Sequence, residues 1–121
     1  MNDIPSLLRG MLNKPLYVAL RSARDLPRMA EVLQRHLEWV VLAEQRGEIF
    51  LSGPFTDGSE PGAGGGMTIL RASSLAAAQQ IIDADPFIAE GIFEAAVRPW
   101  LLMEGSLTFN LTLSDQKTIL Y

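Results

Sequence analysis

The chain's single histidine sits where a residue chosen for stability would be leucine. Wound at 3.6 residues per turn, Arg28–Arg46 places Met29, Val32, Leu33, Val40 and Ala43 within roughly 60° of His36. Glu31, Gln34, Glu38 and Gln45 fall on the opposite side. An imidazole in an apolar stripe costs free energy unless its nitrogens find partners. It is either a core histidine satisfied by a carbonyl or a water, or a group that moves a proton. Asp85, in the run DADPF, has a similar double character. An Asp before Pro commonly caps a helix that starts at the proline, and its second oxygen stays available to a neighbour. A carboxylate beside an imidazole holds one tautomer and orients the ring, as a general base requires.

Three further side chains have usable chemistry. Ser52 is a nucleophile only if His36 reaches it, and a serine at a strand turn is ordinarily structural. Arg98 can bind a carboxylate or phenolate, or stand as a solvated arginine on a sheet edge. Trp39 and Trp100 are more typical of a core than of a stacking platform.

Other chemistries are disfavoured. The chain has no cysteine, which removes disulfides and thiolate chemistry. One histidine with scattered acids (Asp57, Glu60, Asp83) gives no metal-ligand spacing. The run GAGGGM has Met67 at the last glycine position and leads into a strand, so it is no dinucleotide fingerprint. No organic cofactor or metal is expected. The formal net charge is −4 and the ten Lys and Arg residues form no cluster. Nucleic acid and an acidic membrane surface are therefore not expected partners. The first fifteen residues carry Asp3 where a secretory signal wants positive charge, and Pro5, Arg9 and Gly10 break their apolar run. A cytoplasmic protein is the expectation.

The elements that must position these residues follow from periodicity. Leu16–Arg21 is a short apolar strand, and Asp25 with Pro27 opens the helix over 28–46, which Gly47 ends. Glu48–Phe55 is a second strand, 56–65 a turn-rich loop and Gly66–Ala72 a third strand. Ser74 caps a second helix running to about Ala84, with a further turn at Phe87–Glu90 and a fourth strand within Phe93–Met103. The order β-α-β-β-α-β predicts a ferredoxin-like α+β domain with an antiparallel sheet and both helices on one face. Its edge strands would carry Pro54 and Pro99, where proline is tolerated. The organisation expected is an arm at 1–15, the domain at 16–105 and a tail at 106–121. In the tail Leu107, Phe109, Leu111 and Leu113 repeat at period two, the sign of a half-buried extra strand for this sheet or a partner's.

The segments RHLEWV, GEIFLSGPFTD, the small-residue helix ending in DADPF, and GIFEAAVRPW, in that order, resemble the YciI-like (YCII-related) family over roughly residues 16–103. The resemblance implies the fold of the dimeric α+β barrels and a cleft centred on His36 and Asp85. It also places Ser52, Gly53 and Pro54 in the family's strand-end turn, and Arg98 with Trp100 in its closing strand. The function implied is a cofactor-independent enzyme acting by proton transfer on a small, partly apolar or aromatic molecule. Isomerisation or elimination, including dehydrochlorination, fits such a site. The alternative is a non-catalytic ligand-binding or regulatory dimer using the same cleft. Haem chemistry, with His36 as an axial ligand, fits an Asp-paired histidine less well.

The strand cores LYVAL, IFL and WLLM are apolar on both faces, whereas a sheet with one face in water alternates. A second copy of the sheet is the simplest cover, so a homodimer or higher homo-oligomer is expected. Light scattering at micromolar concentration should return at least twice the mass of one chain. A monomeric mass, with the tail lying off the sheet, would reject it.

Overall fold

The computed structural model describes residues 3–120. Residues expected as a loose arm include a helix, α1 (Ile4–Gly10), with Pro5 in its first turn. The Asp3 carboxylate accepts from the Ser6 N–H at 2.8 Å. The arm expectation overlooked this local cap, which supplies a partner to an otherwise orphaned N–H.

Strand β1 (Lys14–Ala23) follows, then a 3-10 turn at Leu26–Arg28 and helix α2 (Met29–Gln45). Asp25, expected as the helix cap, makes no side-chain capping bond. The extra turn moves the helix start beyond its reach. At the other end the Gly47 N–H donates to Glu44 and the Glu48 N–H to Ala43, both at 3.0 Å. Gly47 adopts φ +79°, so this is a Schellman closure that needs a left-handed residue. Then come β2 (Ile49–Pro54), β3 (Gly66–Leu70), α3 (Leu75–Asp83), the short α4 (Pro86–Ala89) and β4 (Phe93–Leu102). Ser74 caps α3 by accepting from the Ala77 N–H at 3.0 Å.

The sheet order is β2-β3-β1-β4, the ferredoxin-like arrangement. β3 pairs antiparallel with both β1 and β2. Pro54 and Pro99 therefore stand on the two edge strands, as expected. Both long helices cover one face. Trp39 and Ala43 of α2 and Ala78 and Ile82 of α3 pack with Ala19, Ile49 and Leu70 of the sheet. A second cluster joins Val32 of α2 to Phe87, Ile92 and Phe93. His36 lies on α2 between Val32 and Trp39, where the two clusters meet. The opposite face of the sheet is uncovered in the single chain, with Leu51 55% and Trp100 41% exposed. One chain closes no barrel.

Two local features aim residues at the helix-covered face. Ile49 pairs with Leu70 but Leu51 with Ile69, so one extra residue bulges out of β2. Because side chains alternate, a one-residue shift flips everything beyond it. The bulge brings Ser52 opposite Thr68; without it Ser52 would face the uncovered side. The second feature is the glycine run before β3. Gly65 adopts φ +86°, and a Cβ there would lie 2.0 Å from the Arg21 carbonyl oxygen. Chain crossing this close needs hydrogen in place of a side chain.

The two ends of the chain, 3–14 and 102–120, form a compact unit of their own. The tail's period-two segment is β5 (Phe109–Thr112), and it pairs with β6 (Lys117–Leu120) as a separate hairpin. The expectation of a half-buried strand added to a sheet edge is corrected here for the single chain: Phe109 is 64% and Leu113 81% exposed. Periodicity reported the extended conformation and not the pairing partner.

Gly65→Ala should destabilise the fold by at least about 1–3 kcal/mol, the usual scale of a strained backbone position. Chemical denaturation measures it. Stability equal to wild type would show that the crossing at Arg21 is not tight.

Candidate active site

Asp85 stands between α3 and α4, fully buried at 0% exposure. Its Oδ1 caps α4 by accepting from the Phe87 N–H at 3.0 Å. The same oxygen lies 2.7 Å from Nδ1 of His36. Its Oδ2 accepts from Arg21 Nε at 3.0 Å and Nη2 at 2.8 Å. One carboxylate thus takes four hydrogen bonds, from a backbone, an imidazole and a guanidinium. Burial by itself pushes the Asp85 carboxyl up. The hydrogen bond from His36 and the charge of Arg21 outweigh it and hold the group below its ordinary 3.8. An ionised carboxylate only accepts, so the proton between it and His36 belongs on Nδ1. That leaves Nε2 as the basic nitrogen. Among the described residues Nε2 has no partner.

His36 is held on its flat side as well. Its ring stacks on Phe87 with centroids 4.1 Å apart and planes 16° from parallel. The side chain keeps 15% exposure, enough to meet a ligand.

A cleft of ≈ 420 Å³ opens over this group. Its walls are mostly apolar: Met29, Leu33, Leu37 and Val40 from α2, with Phe87 and Phe93. Arg21, His36 and Ser52 are the polar side chains lining it. Gly53, Pro54 and the loop residues Pro61, Gly62 and Gly65 close the far side. A small, partly apolar molecule suits such a space. Among the described residues no three His, Asp or Glu side chains converge as a metal-ligand set. No helix among them is long and apolar enough to cross a membrane.

The residues singled out in the sequence divide into two groups. His36, Ser52, Gly53 and Pro54 line one cleft, and Asp85 lies buried behind His36. Arg98 and Trp100 are not among its lining. On β4, Phe93, Ala95 and Val97 point into the helix-covered core, and alternation turns Arg98 and Trp100 the other way. Trp100 borders a second hollow on the uncovered face, with Val18, Leu51, Met67 and Ile69. Arg98 is exposed. Within one chain, then, the anion-holding role expected of Arg98 finds no place in the His36 cleft.

Arg21 was missed. It is buried, and besides Asp85 it reaches Thr68 Oγ1 through Nη1 at 2.6 Å. Thr68 Oγ1 lies in turn 2.8 Å from Ser52 Oγ. A signal existed: Arg21 is in phase with Tyr17 and Ala19, the core-facing positions of β1. A guanidinium on an inward face demands a buried acid.

Fold and cleft together define a single ferredoxin-like α+β domain with a buried carboxylate–imidazole pair opening on an apolar pocket. The chain belongs to the YCII-related family, whose domain it matches over residues 16–101. It is 37% identical over 93 residues to Protein YciI of Escherichia coli O6:H1, spanning 70% of this chain and 95% of that protein. The same figures hold for Protein YciI of Shigella flexneri. Among solved structures it is similar to 5-chloro-2-hydroxyhydroquinone dehydrochlorinase (TftG) from Burkholderia phenoliruptrix AC1100, determined in complex with 2,5-dihydroxybenzoquinone. That likeness has a TM-score of 0.59 and 23% identity, covering 70% of this chain and 92% of that one. At such identity it speaks for the fold.

The pairing with Arg21 changes what Asp85 is worth. As a cap alone, its loss would cost about 1 kcal/mol. Asp85→Asn also strands a buried guanidinium, and a broken buried pair costs about 3–5 kcal/mol. The sign with pH follows from the depressed carboxyl. Its contribution is complete above the unfolded value near 3.8 and is lost as pH falls through the lower folded value. Denaturant unfolding at neutral pH and at pH about 3 or below should show the variant's deficit shrinking on acidification. A constant deficit would mean that the carboxylate's charge is not what stabilises.

Proposed function

We propose that this protein is a cofactor-independent enzyme that moves a proton on a small, partly apolar or aromatic, enolisable molecule, as an isomerase or a lyase of the dehydrochlorinase type. The observation that carries this is the 2.7 Å contact between His36 Nδ1 and the buried Asp85, which leaves Nε2 without a partner among the described residues at an apolar cleft. His36 is the general base. Asp85 fixes its tautomer and stabilises the imidazolium once the proton arrives. In an elimination, Nε2 takes the proton from carbon or hydroxyl, the freed electron pair forms the new double bond, and chloride departs with its own bonding pair. In an isomerisation, the same nitrogen returns the proton to a different atom. The dehydrochlorinase among the solved structures of this fold supports the choice of substrate class.

The working unit we propose is a homodimer, in which a second sheet covers the apolar face around Leu51, Met67 and Trp100. Arg98 and Trp100 would then serve that interface or its rim. We place the action in the cytoplasm, in keeping with a cysteine-free chain that needs no oxidising compartment.

The test begins with chloride release from 5-chloro-2-hydroxyhydroquinone and continues with a metabolite screen for turnover. On whichever substrate is turned over, His36→Gln should fold normally and lose about 10²-fold or more of the rate, the usual scale of a general base. A variant with full turnover would remove His36 from the chemistry. Ligand binding with no turnover of any bound compound would favour the non-catalytic ligand-binding dimer.

A further inference from the structure

The proposed base accounts for one end of a longer hydrogen-bonded chain: His36, Asp85, Arg21, Thr68 and Ser52. Both ends line the same cleft. Its direction can be worked out. Arg21 only donates, so Thr68 Oγ1 must accept from Nη1. Thr68 is fully buried, and its own hydroxyl proton needs an acceptor. Ser52 Oγ, 2.8 Å away, is the hydroxyl oxygen in reach among the described residues. Thr68 therefore donates to Ser52, and the Ser52 proton is left for the cleft. A hydroxyl that already accepts from a chain headed by a cation is a stronger donor.

We propose that Arg21 is the positioning residue of this cleft, fixing His36 through Asp85 as a base and Ser52 through Thr68 as a hydrogen-bond donor. This assignment rests on the proton-transfer function above and names the substrate class more closely. The ligand carries two functions: an acidic C–H or O–H facing His36 Nε2, and an oxygen that gains negative charge and faces Ser52. Hydroxycarbonyl and hydroquinone-like molecules have this pattern. Ser52 is assigned to hold an oxygen and not to act as a nucleophile, because among the described residues no hydrogen bond joins it to His36. The guanidinium fork explains why Arg and not Lys stands at 21: Nε and Nη2 grip Asp85 while Nη1 reaches Thr68.

Two spectroscopic handles exist in this chain. It has one histidine, so imidazole nitrogen signals belong to His36 alone. It has no cysteine, so a thiol introduced at position 52 titrates alone. In the wild-type protein, nitrogen NMR of the neutral imidazole should show the Nδ1–H form. Arg21→Gln, which removes the charge that keeps Asp85 ionised, should lose that single form. Arg21→Lys should retain it. In Ser52→Cys the thiol should titrate below the ordinary value of about 8.5, since Thr68 donates to it. It should return toward that value when Thr68→Val or Arg21→Lys is added.

A folded Arg21→Gln protein with the Nδ1–H form intact would overturn the first arm. A thiol that titrates identically with and without Thr68→Val would overturn the second. If Arg21→Gln does not fold, the Arg21→Lys and Thr68→Val results decide alone. Neither measurement needs a substrate. Fixed His36 and position 52 with no turnover would sink the enzyme and leave this assignment standing; turnover with an unfixed His36 would do the reverse.

Discussion

A carboxylate buried at zero exposure governs the arrangement of this domain. Asp85 cannot stay ionised inside a protein without partners, since removing a charge from water costs several kcal/mol even after relaxation. Its four hydrogen bonds meet that demand, and they come from three different parts of the fold. Phe87 contributes from α4, His36 from α2 and Arg21 from β1. The group therefore ties the helix layer to the sheet at one point. It sits where two apolar clusters meet, one around Trp39 and Ile82 and the other around Val32 and Phe93. Hydrophobic burial holds those clusters together without direction. The carboxylate adds directional bonds at the point where they meet.

The same atoms that stabilise the joint are the ones the proposed proton transfer would use. Oδ1 caps a helix and holds an imidazole; Oδ2 occupies a guanidinium. A buried ion pair is weak evidence for stability, because apolar residues of similar volume often do as well. Its retention at the floor of a cleft is more readily understood from the tautomer it imposes. Phe87 adds the flat support against which His36 stacks. Rigid elements on both sides leave the ring little choice of orientation, which suits the proposed role of a base that meets its substrate at one geometry.

The cleft walls show how backbone detail serves the same end. The bulge in β2 turns Ser52 toward Thr68. Gly65 lets the loop cross β1 within contact of Arg21. Neither contributes a functional group, yet both decide which groups face each other. The uncovered face of the sheet answers to a different demand. Its exposed apolar side chains, Leu51, Met67 and Trp100 among them, lie on the side away from His36.

Much of this was legible in the residues. Period 3.6 over 28–46 and strands bounded by turns determine the element order, and the order determines a ferredoxin-like sheet with Pro54 and Pro99 at its edges. The histidine on an apolar stripe and the Asp before Pro86 marked themselves, because each breaks a local rule that stability alone would keep. Other features could not be read locally. Arg21 looked like the end of an apolar strand until the helix layer buried it. A one-residue bulge leaves no mark in composition but reverses every side chain after it. Arg98 and Trp100 belong to the strand expected, yet strand parity set by tertiary pairing turned them to the other face. The period-two tail announced extended backbone, and only folding decided that β6 would be its partner. Local periodicity reports backbone conformation and amphipathic faces. Which faces meet is settled by pairing between residues distant in sequence, here Arg21 with Asp85, which are 64 positions apart.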